Sequence, residues 1–252
     1  MRFKRLPVKD PRTVARDIPG ICDLLFPQLL PSIITYLNRQ SESVIDCESI
    51  PSSLINKTST NAAMLFEVAY ARAEQILNGE VAENWDSCLE VALRRQSKYF
   101  DAQLPEKITS IDTDVARLTS KNLVVALRLF EKKEKLSIEQ SPVIHGYQWV
   151  SKGYGDFSIG DTLIEVKCTN KNFGSADYRQ LLVYWLLSFA GSIEGKSKEW
   201  KKGILLNPRL NKYIEIEFDG LINFAASGRS KIEILELFDS IVSDYSSKLS
   251  IG

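Results

Sequence analysis

The sequence has one histidine in 252 residues, four cysteines with no Cys-x-x-Cys spacing, and no net charge. Each scarcity excludes something. Cys22, Cys47, Cys88 and Cys168 are spaced wrongly for a zinc site. The lone His145 falls in a predicted strand, Glu139–Tyr147, and reads as a structural residue. Lys+Arg and Asp+Glu both number 32, so no global basic field holds nucleic acid indiscriminately. No apolar run approaches the roughly 18 residues of a spanning helix. The opening MRFKRLPVKDPR is basic but lacks the apolar stretch of a signal peptide. The expectation is a cytoplasmic protein with no membrane partner.

Proline is unevenly spread. Pro7, Pro11, Pro19, Pro27, Pro31 and Pro51 are six of the nine and break residues 1–57 into short elements. This predicts an N-terminal, proline-rich helical appendage ahead of a main domain over 58–252. Its apolar stretch Leu24–Leu37 suits packing on the body or on a protein partner. Beyond it the patterns predict helices at 58–79, 86–100 and 112–131. Strands follow at 138–147, 154–159 and 162–168, then a helix over Asp177–Ala190. Strands at Lys202–Leu206 and Tyr213–Phe218 flank the turn Asn207-Pro208-Arg209. A last amphipathic helix covers Lys231–Tyr245. The fold class is α/β, a mixed central sheet with helices on both faces.

The chemistry concentrates in GDFSIGDTLIEVKCTNKNFGSADYRQLLVY, Gly155–Tyr184. Gly160-Asp161 is a two-residue hairpin signal. Closing it pairs Ile159 with Thr162, Ser158 with Leu163, Phe157 with Ile164 and Asp156 with Glu165. Alternation then puts Lys167 on the face of Glu165. The other face, Phe157, Ile159, Ile164, Val166 and Cys168, belongs to the core. Two opposed carboxylates repel, unless a divalent cation reverses the sign; Mg²⁺ typically takes one or two carboxylates plus substrate phosphates. The same letters also suit an exposed hairpin with solvated charges. On the next helix Gln180 and Tyr184 share a face at i, i+4. A buried Gln amide left unpaired costs about 1–3 kcal/mol, so its partners are expected among the hairpin's polar groups or the substrate.

Asp156, Glu165-Val166-Lys167, Gln180 and Tyr184 together resemble the PD-(D/E)XK nuclease superfamily. The likeness is closest to RecB-like and restriction-endonuclease-like members with a QxxxY helix, and with flanking elements it spans about Thr58 to Phe218. It implies a restriction-endonuclease-like fold and a metal-dependent phosphodiesterase. Asp156, Glu165 and the Val166 carbonyl would hold Mg²⁺, with Mn²⁺ as its substitute. Lys167 would assist the attacking water, and Gln180 and Tyr184 would support the site or touch substrate. Such enzymes commonly add an acidic residue from an earlier helix, and Glu67 is the candidate. Ser59 or Thr60 is the expected cap of that helix and Gly79 its end. The substrate would be nucleic acid, DNA ahead of RNA, as in a restriction or phage-defence effector. A cluster over Lys196, Lys198, Lys201, Lys202, Arg209 and Lys212 is a second candidate contact with phosphates. The rival is a silent nucleic-acid-binding or assembly subunit that keeps the fold.

Overall fold

A computed structural model of the chain describes residues 9–17, 20–97 and 105–251. The first eight residues, Pro19 and the 98–100 end of the second predicted helix lie outside them. Helices α1 (Pro11–Asp17), α2 (Ile21–Leu25), α3 (Pro31–Arg39) and α4 (Ser52–Ile55) precede α5 (Ala62–Leu77), α6 (Trp85–Gln96) and α7 (Ser110–Glu134). Strands β1 (Ile138–Gln140), β2 (Val143–Ile144), β3 (Gly153–Tyr154), β4 (Phe157–Ile159) and β5 (Thr162–Val166) lead into α8 (Ser175–Ile193). Then come β6 (Lys202–Asn207), β7 (Lys212–Glu217), α9 (Phe218–Ala225) and α10 (Lys231–Ile251).

Five strands form one mixed sheet in the order β1-β4-β5-β6-β7, with β5 and β6 parallel and the other neighbours antiparallel. The hairpin register is the one the turn signal predicts: Phe157 opposite Ile164, Ser158 opposite Leu163, Ile159 opposite Thr162. Gly160 takes φ 58°, the left-handed turn conformation. Strand alternation sorts the side chains. Phe157, Ile159, Ile164, Val166, Ile204 and Leu206 pack with Tyr70 of α5 and Leu123 and Leu127 of α7. Leu163, Leu205, Ile214 and Ile216 pack on the other face with α8, α9 and α10. A third cluster joins α5, α6 and α7.

Several expectations change. The strand foreseen over 138–147 splits into β1 and β2 around Ser141, whose φ is 52°, and β2 pairs with β3 as a separate two-stranded ribbon. The strand over 154–159 is likewise interrupted at Gly155-Asp156. Asn61, not Ser59 or Thr60, caps α5 by accepting from the Met64 N–H at 2.9 Å. Ser59 and Thr60 instead donate to the Asp112 carboxylate, which completes the capping box of α7 with Thr109. Helix α9 was unforeseen, although Phe218, Leu221, Ile222 and Ala225 are spaced at helical period and buried.

The N-terminal segment is distinct in composition but not in core. Val14, Ile21, Leu25, Phe26 and Leu29 belong to the cluster built on α8. Asn38 accepts from the Phe173 N–H and donates to the Phe173 carbonyl. Within 24–37, Leu25, Phe26, Leu29 and Ile34 therefore pack on the body, while Leu24, Leu30 and Tyr36 stay exposed.

Candidate active site

Glu165 and Lys167 lie at the C-terminal end of β5, on the face covered by α8. Lys167 Nζ donates to Glu165 Oε1 at 2.9 Å and to Gln180 Oε1 at 2.7 Å. Gln180 Nε2 in turn donates to the same Glu165 Oε1 at 2.6 Å and to the Tyr184 hydroxyl at 3.0 Å. Helical spacing explains the last contact, since residues four apart share a face. The amide satisfies a cation through its oxygen and a carboxylate through its nitrogen; flipped, it would fail at both. The half-buried Gln180 amide thus finds its partners on the hairpin.

Asp156 sits where β4 has not yet begun. Its Oδ2 accepts from the Val166 N–H at 2.7 Å, and its carbonyl accepts from the Tyr70 hydroxyl at 3.0 Å and the Ser141 N–H at 2.9 Å. The break in the strand thus comes with three fixed hydrogen bonds. They hold the carboxylate beside the backbone that carries Glu165, although the two residues are not a regular cross-strand pair.

Electrostatically the site is unbalanced. Burial first, then the negative charge of Glu165, hold the Asp156 proton affinity well above that of an ordinary carboxyl group; the Val166 N–H and Lys167 pull the other way. For Lys167, burial disfavours the ammonium, but Glu165 and Asp156 outweigh it and its proton affinity is raised. Lys167 is therefore a cation and not a free base. Tyr184 is pushed up by burial and by Glu165 and stays a neutral hydroxyl. Glu165 is 4% exposed, and its Oε2 is buried with no hydrogen-bond partner. A bare carboxylate oxygen is costly in such a place.

These donors fit a divalent cation. Glu165 Oε2 is orphaned, Asp156 commits only Oδ2 to the backbone, and both are hard oxygens of the kind Mg²⁺ takes. Among the described residues, no three acidic, cysteine or histidine side chains are gathered closely enough to hold an ion by themselves. Glu67 in particular has another setting. It faces the same cavity as Asp156, but its Oε2 lies 3.7 Å from Arg95 Nη1 and its Oε1 accepts from Gln96 at 3.5 Å. Burial, only partly offset by Arg95, raises its proton affinity.

The cationic cluster over 196–212 is split by the sheet. Lys212 pairs with Asn207, next to the Leu206–Val166 pair at the strand end that carries Lys167, and only the part up to Lys202 lies away from the site. Lys202 pairs with Thr162, at the opposite end of the sheet from Val166. Glutamates also meet its charges: Lys196 with Glu194, Lys201 with Glu199, Lys202 with Glu215 and Glu217. Arg209 is buried and bonded to Asn170. Cys168 lies past the end of β5, and burial raises its thiol. His145 packs near Gly191 of α8. That is roughly 16 Å along the helix from Gln180 at 1.5 Å per residue, which suits a structural residue.

Compared with protein families, with curated proteins and with solved structures, the chain finds no match in any of the three. Among the described residues no helix is long and apolar enough to cross a membrane.

Proposed function

We propose that the chain is a divalent-metal-dependent nuclease of the PD-(D/E)XK type, with a restriction-endonuclease-like sheet. One observation carries the reading. Asp156 and Glu165 lie together at a strand end, with Glu165 Oε2 buried and bare, while Lys167 and Gln180 fix the other oxygen and Tyr184 braces Gln180. A protein gains nothing from that arrangement unless a cation or a substrate completes it.

Asp156, Glu165 and the Val166 carbonyl would hold Mg²⁺ or Mn²⁺. Bound there, the ion supplies Lewis-acid polarisation of phosphate and activation of water. The chain's own residues do the rest. Lys167, kept protonated by Glu165, faces the charge that grows on the phosphoryl oxygens as water adds to phosphorus and one P–O ester bond breaks. The leaving alkoxide takes a proton, and the water's proton is lost to solvent. Gln180 fixes Lys167 and Glu165 relative to each other, and Tyr184 fixes Gln180, so these two act as positioning residues. DNA is placed ahead of RNA by the resemblance, as is a role in restriction or phage defence.

The test is incubation of the purified protein with labelled duplex DNA, single-stranded DNA and RNA, each with Mg²⁺, Mn²⁺ or EDTA. Metal-dependent cutting that Asp156→Asn and Lys167→Met abolish supports the reading. Wild-type protein that cuts none of the three with either metal overturns it in favour of a silent nucleic-acid-binding subunit.

A further inference from the structure

A cavity of about 370 Å³ opens on the α5 side of Asp156, between α1, the end of α6 and the β2-β3 ribbon. Its walls carry two arginines, Arg12 and Arg95, and three aromatic rings, Phe66, Tyr70 and Tyr154, with Asp156 at one edge and Glu67 between. Arg95 is held in place. Its Nη2 donates to both oxygens of Glu74 at 2.8 and 2.7 Å, and its guanidinium lies 5.3 Å from the centre of the Tyr70 ring. Its Nη1 makes no hydrogen bond and lies 3.7 Å from Glu67 Oε2. Tyr154 is 48% exposed, a large aromatic presented to solvent from a short strand, with Lys152 Nζ 6.0 Å from its ring centre.

We propose that this cavity receives a single unpaired nucleotide next to the bond that is cut. The choice of nucleic acid as ligand rests on the nuclease reading; the choice of an unpaired nucleotide rests on the cavity. Arginines meet phosphate bidentately and stack on planar groups. Aromatic side chains stack on bases regardless of sequence. Inside a duplex both faces of a base are already stacked on neighbours, so away from the terminal pairs ring-to-base stacking is open only to a base out of the helix. The volume is at the small end of the range for small-molecule sites and has no room for a base pair with both backbones. Glu67, on the cavity wall, accepts from the exocyclic amines of the inserted base. The residue expected to bind metal is thereby reassigned to substrate.

The experiment measures binding in EDTA, where no cutting occurs, at one fixed salt concentration. The probes are a short labelled DNA single strand and the blunt duplex of the same sequence. Wild-type protein is expected to bind the single strand more tightly. Tyr154→Ala should lower single-strand affinity roughly tenfold, the scale of losing one stacked base, and Tyr154→Trp should restore it. Tyr36→Ala, on an exposed part of α3 lining a different groove, should change neither. Equal binding of the two probes by wild type, or single-strand binding indifferent to Tyr154→Ala, overturns the proposal. The two readings separate cleanly. Tyr154-dependent single-strand binding without cutting in Mn²⁺ keeps the pocket and removes the nuclease; metal-dependent cutting of blunt duplex, with Tyr154→Ala unchanged in binding, does the reverse.

Discussion

Replacing Lys167 by methionine keeps the length of the side chain and removes the cation that Glu165 Oε1 and Gln180 Oε1 share. What remains is a buried Glu165 and a half-buried Asp156 beside it without their ammonium. Breaking a buried pair by deleting one partner costs about 3–5 kcal/mol. The Lys167 side chain is 18% exposed and that of Glu165 6%, so the lower end, about 3 kcal/mol, applies. In a chain of this size that is roughly a 6–12 °C fall in Tm. The loss has a pH signature. A carboxyl whose proton affinity is raised in the native state holds its proton after the unfolded chain has released it. Its contribution is full below the unfolded value of about 3.9 and is lost as pH rises through the raised native value. Lys167 lowers the proton affinity of Asp156, so the variant carries a wider window. The gap between variant and wild type is therefore small near pH 4 and grows toward pH 8. Urea denaturation in EDTA across that range measures it. A loss that is the same at both ends, or under about 1 kcal/mol at pH 8, would refute the reasoning, because isolated solvated charges behave that way.

Saturating Mg²⁺ should raise the stability of wild-type protein by about 2.7 kcal/mol at a hundred times its Kd, and thermal melts should show no such shift for Asp156→Asn. Asp112 is fully buried, which alone raises its proton affinity, yet hydrogen bonds from Thr109, Ser59 and Thr60 outweigh burial and bring it to about 2 from 3.8. Asp112→Asn should therefore cost about 2 kcal/mol at neutral pH. The wild-type contribution is complete above 3.8 and vanishes as pH falls through about 2, so a variant whose deficit persists unchanged at pH 2 contradicts the assignment. Gly203→Ala would set a Cβ 2.7 Å from Leu181 Cδ2 and 2.8 Å from Phe218 Cζ, both in fully buried side chains. Overpacking of that kind costs about 1–3 kcal/mol, and a neutral denaturation midpoint would show that α8 can move away from β6.

The site was legible where local geometry decides it. Gly160-Asp161 fixes the hairpin register, alternation carries Glu165 and Lys167 to one face, and helical period stacks Gln180 on Tyr184. The remainder depends on contacts distant in sequence. Arg95 lies 28 positions from Glu67 in the chain and meets it only because α6 packs on α5. Tyr154 reaches the same cavity because β3 leaves the main sheet to pair with β2. No periodicity signals either event. The lysines after α8 form a cluster on paper, but β5 and β6 run parallel, which places Lys202 at the hairpin end and Glu215 within 3.2 Å of it. Charge counted along a chain says little until the strand order is known.

Strand order also separates the places where this fold is secure from the place where it is under electrostatic load. Both faces of the sheet are closed by apolar clusters, and the acid pair sits at the strand end, at the margin of the α8-side cluster, where Glu165 pairs with Leu205. Local repulsion there raises the energy of a few side chains without loosening the core, so the fold tolerates a site that is incomplete by itself. A silent binding subunit would bear that cost in every state, since nothing in its task neutralises Glu165 Oε2. A metal-using nuclease bears it only until the cation arrives. The two readings therefore differ in a measurable sign: Mg²⁺ should stabilise wild-type protein, whose acid pair it neutralises, and give Glu165→Gln clearly less. Equal stabilisation of both proteins would place the ion elsewhere and leave the acid pair as a cost without a use.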